Sequence, residues 1–264
     1  MSGAQGRHPP PTLAVVPTVL LVRHGRTTAN ASGVLAGWTP GIGLDDTGRA
    51  QAAALAQRMA PVPLAAVVSS PLQRCRETAE ALTAVSGPPA RRRGRPTARP
   101  EVVDDERLGE ARYGDWTGRA LKDLARDPLW PVVQVHPSAV TFPGAGGESM
   151  LAMQVRAVEA VRAHDTRVAA AAGEQAIWVA VSHGDVIKAV LADALGMHLD
   201  AFQRIVVDPC SVSVVRYSRL RPFVARVNDT GAELGSLVPP PRGRRRSTPA
   251  RDSDAVVGGS TGTA

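Results

Sequence analysis

Three short runs of apolar, branched residues punctuate the first two-thirds of the chain: Thr18–Arg23, Ala65–Ser69 and Ala176–Ser182. Their continuous hydrophobicity, without polar alternation, predicts strands buried on both faces. A helical pattern follows each run, over Thr47–Met59 after a Gly-rich loop, over Pro71–Val85, and over Asp185–Leu195. Pro71 suits a first helical position with Ser70 as its cap, and the Asp46-Thr47-Gly48 stretch suits the start of the earlier helix. Strands that alternate with helices imply a parallel sheet. A further long helix is predicted from about Glu148 to Ala171. Ile205–Val207, Val212–Arg216 and Phe223–Val227 read as three short strands joined by turns at Asp208-Pro209 and Arg221-Pro222.

The periodicity fades at both ends. Residues 1–17 and 236–264 carry Pro, Gly, Ser, Thr and Arg with little pattern, so both are expected to be disordered around one catalytic domain at 18–235. The stretch Arg91–Arg99 reads as an irregular insertion in a loop. Length permits a large core, but Ala supplies much of the apolar content, and only three Phe and two Tyr occur.

Charge changes the picture little. The formal net charge of +7 comes mainly from Arg, Lys122 and Lys188 being the lysines, a usage that fits a GC-rich bacterial genome. The dense Arg runs at 91–99 and 242–246 lie in Pro/Gly-containing stretches with no accompanying aromatic cluster, so a solvated loop and tail are expected rather than a nucleic-acid arm. Cys75 and Cys210 have no zinc or disulfide spacing, which fits a reduced, cytoplasmic protein. The apolar stretch Leu13–Val22 is interrupted by Pro17 and too short to span a bilayer, and neither a signal peptide nor a membrane anchor is expected.

The chemistry gathers at the strand ends. The first strand runs into Arg23-His24-Gly25-Arg26-Thr27, the second into Ser69-Ser70-Pro71-Leu72-Gln73-Arg74, and the third into Val181-Ser182-His183-Gly184. In an open parallel sheet the carboxyl ends of the strands share one edge, where ligands bind. Two Arg and two His meeting there suit a phosphate, because the guanidinium fork matches phosphate oxygens in charge and geometry. They would repel a metal cation, and neither His belongs to a recognisable metal-ligand pair, so no metal is expected.

Taken together and in this order, Arg23-His24-Gly25, then Ser70-x-Leu72-x-Arg74 with Thr78-Ala79, then Ser182-His183-Gly184 resemble the histidine phosphatase, or phosphoglycerate mutase-like, superfamily over about residues 18–230. The resemblance implies a three-layer α/β/α fold with a mostly parallel central sheet. It implies His24 as the nucleophile that becomes phosphorylated, with Arg23, Arg74 and His183 around the phosphoryl group and Asn30 as a neutral donor. Leu108-Gly109-Glu110 followed by Gly114 and Gly118 matches the family segment that makes Glu110 the proton donor. Gly147-Glu148-Ser149 matches a family sequence at a helix start, which adds Glu148 as a binding candidate beside the plainer reading of a carboxylate favoured by the helix dipole. Arg26 departs from the Glu or Gln common in relatives; it either adds positive charge at the pocket mouth or points into solvent. No cofactor is implied.

The reading that follows is a phosphomonoester hydrolase acting on a small phosphorylated substrate. A compact segment between Glu110 and Glu148 resembles the small phosphatase branch rather than the glycolytic mutases. A phosphomutase remains as an alternative, and a non-catalytic phosphate-binding or nucleic-acid-binding module stands as an alternative of another class.

Overall fold

The computed structural model describes residues 16–85, 91–92, 95–96, 100–232 and Gly258; the expectations for residues 1–15 and for most of the tail lie outside them. The elements in chain order are β1 (Thr18–Arg23), α1 (Thr28–Ser32), α2 (Asp46–Met59), β2 (Leu64–Ser69), α3 (Gln73–Val85), β3 (Arg91–Arg92), β4 (Arg95–Pro96), β5 (Val102–Asp104), α4 (Leu121–Leu124), α5 (Trp130–Val135), α6 (Met150–Ala172), β6 (Ile177–Ser182), α7 (Gly184–Ala194), β7 (Val212–Tyr217) and β8 (Pro222–Asp229). Short 3₁₀ turns fill several of the connections.

Six strands form one sheet in the order β5-β2-β6-β1-β7-β8, and β3 pairs with β4. The β5, β2, β6 and β1 strands run parallel, whereas β7 and β8 are antiparallel additions at one edge. Register places Arg23 opposite Ser182, and Ser69 opposite Val181, so all three chemistry-bearing junctions leave the sheet at one level.

Side chains of β1 alternate between two cores. Val19 and Leu21 face a layer that includes α6, α7 and Trp178, while Leu20 and Val22 face α2 and α3. Burial on both faces explains why β1, β2 and β6 read as unbroken apolar runs, and it makes the molecule a three-layer α/β/α sandwich. Four of the nine Phe, Trp and Tyr side chains cluster: Tyr113, Trp116, Trp130 and Phe142 pack edge-to-face or stacked, with centroids 4.9–6.0 Å apart, Tyr113 and Trp116 lying on the segment that follows Glu110.

Three expectations change. α3 begins at Gln73 rather than at Pro71, and the Ser70 hydroxyl accepts from Leu72 N at 3.3 Å ahead of the helix instead of capping it. Ile205–Val207 is not a strand: it follows a 3₁₀ turn over Leu199–Arg204, and the Val207 carbonyl accepts from Arg23 Nη1 at 2.7 Å instead of from a neighbouring strand. Conversely Val102–Asp104 forms the edge strand β5, three residues whose exposed Val103 and Asp104 leave almost no apolar signal. Within the Arg-rich insertion, Arg91–Arg92 and Arg95–Pro96 form a two-residue ladder; its remaining residues lie outside those described.

Candidate active site

His24 is held by the backbone that follows it. Its Nδ1 stands 2.7 Å from the Gly25 carbonyl, which can only accept, so the ring proton sits on Nδ1 and Nε2 keeps its lone pair. That lone pair accepts from Arg74 Nε at 3.3 Å. The tight turn is fixed by packing on α2: a Cβ on Gly25 would lie 2.6 Å from the Gly48 carbonyl oxygen, and one on Gly48 would collide with the Arg26 backbone. The start of α2 is in turn capped by Asp45, whose carboxylate accepts from Gly48 N at 2.7 Å and from Arg26 Nε at 2.8 Å.

Arg74 joins the two imidazoles. It reaches His24 through Nε and His183 Nδ1 through Nη2 at 3.2 Å, and Nη2 also donates to the Gly37 carbonyl. Because arginine only donates, His183 Nδ1 is an acceptor, and the proton on Nε2 goes to Ser70 Oγ at 2.8 Å. The His24 and His183 rings stand edge-on with centroids 5.2 Å apart. Both imidazoles have their pKa pushed well below the ordinary histidine value, first by burial and then by the Arg74 charge, so both are neutral at neutral pH.

Glu110 is 4% exposed, and its Oε2 stands 3.8 Å from His183 Nδ1. Burial, followed by the nearby Asp185 charge, pushes its pKa up to about 7, despite opposition from Arg74. A carboxyl group poised there can both give and take a proton near neutrality. Its backbone is clamped by Arg156, a residue that the sequence reading did not single out. The Arg156 guanidinium donates to the carbonyls of Arg107, Gly109 and Glu110 at 2.7–3.0 Å. Glu148 completes that clamp: its carboxylate takes Arg156 Nε and Nη2 at 3.0 and 2.5 Å and Arg112 N at 2.8 Å.

His24, Asn30, Arg74 and Glu110 line one cavity, together with an apolar wall described below. Arg23 is fully buried; its Nη1 bonds Val207 O and its Nη2 lies 3.3 Å from the carbonyl of Gly258, which also lines the cavity. Gly258 N donates to Asp185 Oδ2 at 2.8 Å, so a residue of the C-terminal segment reaches the site. Asn30 uses Oδ1 to accept from Thr27 N and Oγ1, closing a capping box that starts α1.

Four of the expected binding residues are not in the cavity lining: Arg23 and His183 are fully buried beside it, and Arg26 and Glu148 are engaged elsewhere. Arg26 is spent on Asp45 Oδ2 at 2.8 Å and Thr47 Oγ1 at 2.7 Å, because the Asp45 cap of α2 offers it a carboxylate. Glu148 is turned toward Arg156 and the Glu110 backbone. Cys75 lies fully buried, with Sγ 3.4 Å from His183 Nε2 and a thiol pushed up to about 12 by burial, the behaviour of a packing residue. Among the described residues no group of three His, Cys, Asp or Glu side chains is placed to hold a metal ion, and no helix is long and apolar enough to cross a membrane.

The chain is similar to known proteins over most of its length. The profile of the histidine phosphatase superfamily (branch 1) matches residues 19–230. The glucosyl-3-phosphoglycerate phosphatase of Mycolicibacterium vanbaalenii is 32% identical over 185 residues, 69% of this chain and 76% of that one. A 2,3-bisphosphoglycerate-dependent phosphoglycerate mutase of Brucella melitensis is 29% identical over 188 residues, 68% of this chain and 82% of the mutase. The solved structure of Bacillus stearothermophilus YhfR superposes with a TM-score of 0.69 at 28% identity, covering 81% of this chain and 98% of YhfR. A profile match across most of the chain, on a three-layer sandwich whose strand ends bring His24, Arg74 and His183 together, makes this protein a member of the histidine phosphatase superfamily.

Proposed function

We propose that this chain is a phosphomonoesterase that works through a phosphohistidine on His24. The observation that carries the reading is the fixed Nδ1–H tautomer of His24, which leaves Nε2 unprotonated and facing Arg74 in a cavity shared with a raised-pKa carboxyl group.

In the first half-reaction Nε2 of His24 attacks phosphorus in line, a P–N bond forms, and the P–O bond to the organic group breaks. Arg74 shifts its donors from the imidazole to the phosphoryl oxygens, and Arg23 adds positive charge from its buried position. His183 gains a proton donor role as the arriving dianion favours its charged form. Glu110, protonated at the start, gives its proton to the leaving oxygen. In the second half-reaction the Glu110 carboxylate takes a proton from water, the water oxygen attacks phosphorus, and the P–N bond breaks to release inorganic phosphate and restore neutral His24.

A phosphatase must admit water to the phosphohistidine, whereas a mutase must keep it out and return the group to a bound sugar acid. The small phosphorylated substrates and the hydrolytic outcome are supported by the phosphatase named among the relatives, and the mutase relative defines the competing outcome. We place the enzyme in a reduced, cytoplasmic setting, a reading that the two free, buried cysteines suit. The test incubates wild type and His24→Ala with a panel of phosphomonoesters and measures free phosphate, and mixes 3-phosphoglycerate with 2,3-bisphosphoglycerate to follow isomerisation. Phosphate release by wild type alone supports the reading; rapid isomerisation with little release overturns it.

A further inference from the structure

We infer that the organic half of the substrate is an uncharged, largely apolar alcohol, so that this enzyme hydrolyses its phosphate monoesters in preference to phosphoglycerates or phosphoserine. The inference rests on the phosphatase reading above and concerns the other half of the same cavity.

Besides His24, Arg74 and Glu110, the cavity is lined by the apolar residues Ala29, Val34, Leu35, Ala36 and Leu121. That wall is built, not draped. Leu35 N donates to Arg119 O at 3.0 Å, Gly118 N to Leu35 O at 2.7 Å and Leu121 N to Gly33 O at 2.8 Å, with Val34 and Ala120 paired in an antiparallel bridge. The stretch from α1 to Ala36 is thereby stitched to the start of α4, and Leu35 is anchored in the core at 3% exposure. A leaving group seated there meets methyl and methylene groups held in place before it arrives.

Charge on the lining is already committed. Its ionisable side chains are His24, Arg74 and Glu110, all three assigned to the phosphoryl group and the proton. The neighbouring cations of this region are engaged elsewhere: Arg26 with Asp45, Arg119 with Asp127 at 3.5 Å, Arg156 with Glu148, and Arg112 over the Trp38 ring at 4.1 Å. Among the described residues, then, a carboxylate or second phosphate on the leaving group would be placed against the apolar wall without a cation. Such a group loses its hydration and gains no partner, which a site of this kind penalises far more than a missing methylene. With Thr27 Oγ1 and Asn30 Oδ1 engaged in the capping box of α1, the Asn30 amide nitrogen remains as the polar lining group that can meet one hydroxyl.

The test uses the full-length enzyme and compares kcat/KM for 3-methylbutyl phosphate with those for 3-phosphoglycerate and O-phosphoserine, with p-nitrophenyl phosphate as a reporter of His24-dependent turnover. The expected result is a preference of at least about 100-fold for the apolar ester. Equal or reversed preference, while p-nitrophenyl phosphate still requires His24, overturns the substrate class and leaves the phosphatase reading standing. Absence of His24-dependent hydrolysis for every ester sinks the phosphatase reading itself. A Val34→Arg variant with an unchanged melting temperature should lower the ratio of 3-methylbutyl phosphate to 3-phosphoglycerate activity by about 10-fold or more, since it brings a cation to the wall; an unchanged ratio counts against the inference.

Discussion

Glu110 is the residue whose chemistry depends most on its surroundings. Its ordinary pKa of 4.5 is raised to about 7 by burial first and by Asp185 second. Between those values the folded protein holds a proton that the unfolded chain has lost, so the stability linked to this group is present below about pH 4.5 and is lost as pH rises through about 7. Glu110→Gln cannot ionise; relative to wild type it should therefore gain melting temperature between pH 5 and pH 8. A melting series that shows a pH-independent difference would mean that Glu110 titrates normally. Activity follows the same proton: hydrolysis of alkyl phosphates should fall above about pH 7, whereas p-nitrophenyl phosphate, whose leaving group needs no proton, should lose little, and the variant should abolish that contrast. Arg156 holds the backbone of the same residue with donors to three carbonyls and a bidentate grip on Glu148. Arg156→Met should cost about 3 kcal/mol in urea unfolding, because it leaves the largely buried Glu148 carboxylate without its partner. It should also lower kcat on alkyl phosphates more than on p-nitrophenyl phosphate. Nothing local in the sequence marks this role, since Arg156 lies mid-helix, 46 positions from the carbonyl of Glu110 that it anchors. Arg23, His24 and His183, by contrast, were legible because each stands at the end of an apolar run, where a parallel sheet must gather them, whereas Glu110 was legible only through the family resemblance of its segment.

At the scale of elements, the strands buried on both faces announced themselves and the edges did not. The bounds of β1 were predicted as they stand, and β2 and β6 differ by one residue, because hydrophobicity on both faces leaves no competing pattern. β5 was missed because an edge strand of three residues needs only one pairing partner and little apolar surface. Ile205–Val207 was apolar enough for a strand, yet its last carbonyl serves Arg23 and the following Asp208 N goes to Asn228 Oδ1 at 2.7 Å, so a side-chain network took the place of a ladder. The contact between α2 and the Arg-His-Gly turn makes a sharper demand. Gly48 has no room for a side chain: an added Cβ would overlap the Arg26 backbone, which cannot yield without moving His24. Gly48→Ala should therefore destabilise the fold by about 1–3 kcal/mol, although alanine is the better helix former, and should reduce turnover as well. A stabilised variant in thermal unfolding would show that the approach is looser than its geometry.

For the whole molecule, the open question is why a residue so near the C-terminus reaches a site built from strand ends more than seventy positions away. Gly258 offers its carbonyl to Arg23 Nη2 and its N–H to Asp185 Oδ2, and it lies against Leu35 and 3.9 Å from the Tyr113 hydroxyl if given a Cβ. A carbonyl oxygen on Arg23 takes a position that suits an anionic oxygen, so inorganic phosphate must compete with the backbone for part of that charge. At 3.3 Å and with a neutral acceptor, that contact is the weaker of the two that Arg23 makes to described carbonyls, and a phosphate oxygen should displace it at modest cost. Ending the chain after Ala232 removes the competitor without touching the sheet, whose last strand closes at Asp229. The truncated enzyme should bind phosphate, measured as a competitive inhibitor of p-nitrophenyl phosphate hydrolysis, roughly 3-fold to 10-fold more tightly, a change of about 1 kcal/mol that matches one ordinary hydrogen bond. Gly258→Ala offers the same test with the chain intact: its φ of +80° and the 3.2 Å approach to Leu35 Cδ1 penalise any side chain there, so phosphate inhibition should strengthen in the same direction. If neither change moves the inhibition constant, the Gly258 contact does not compete with phosphate in solution, and Arg23 owes its catalytic charge to the interior of the sheet alone.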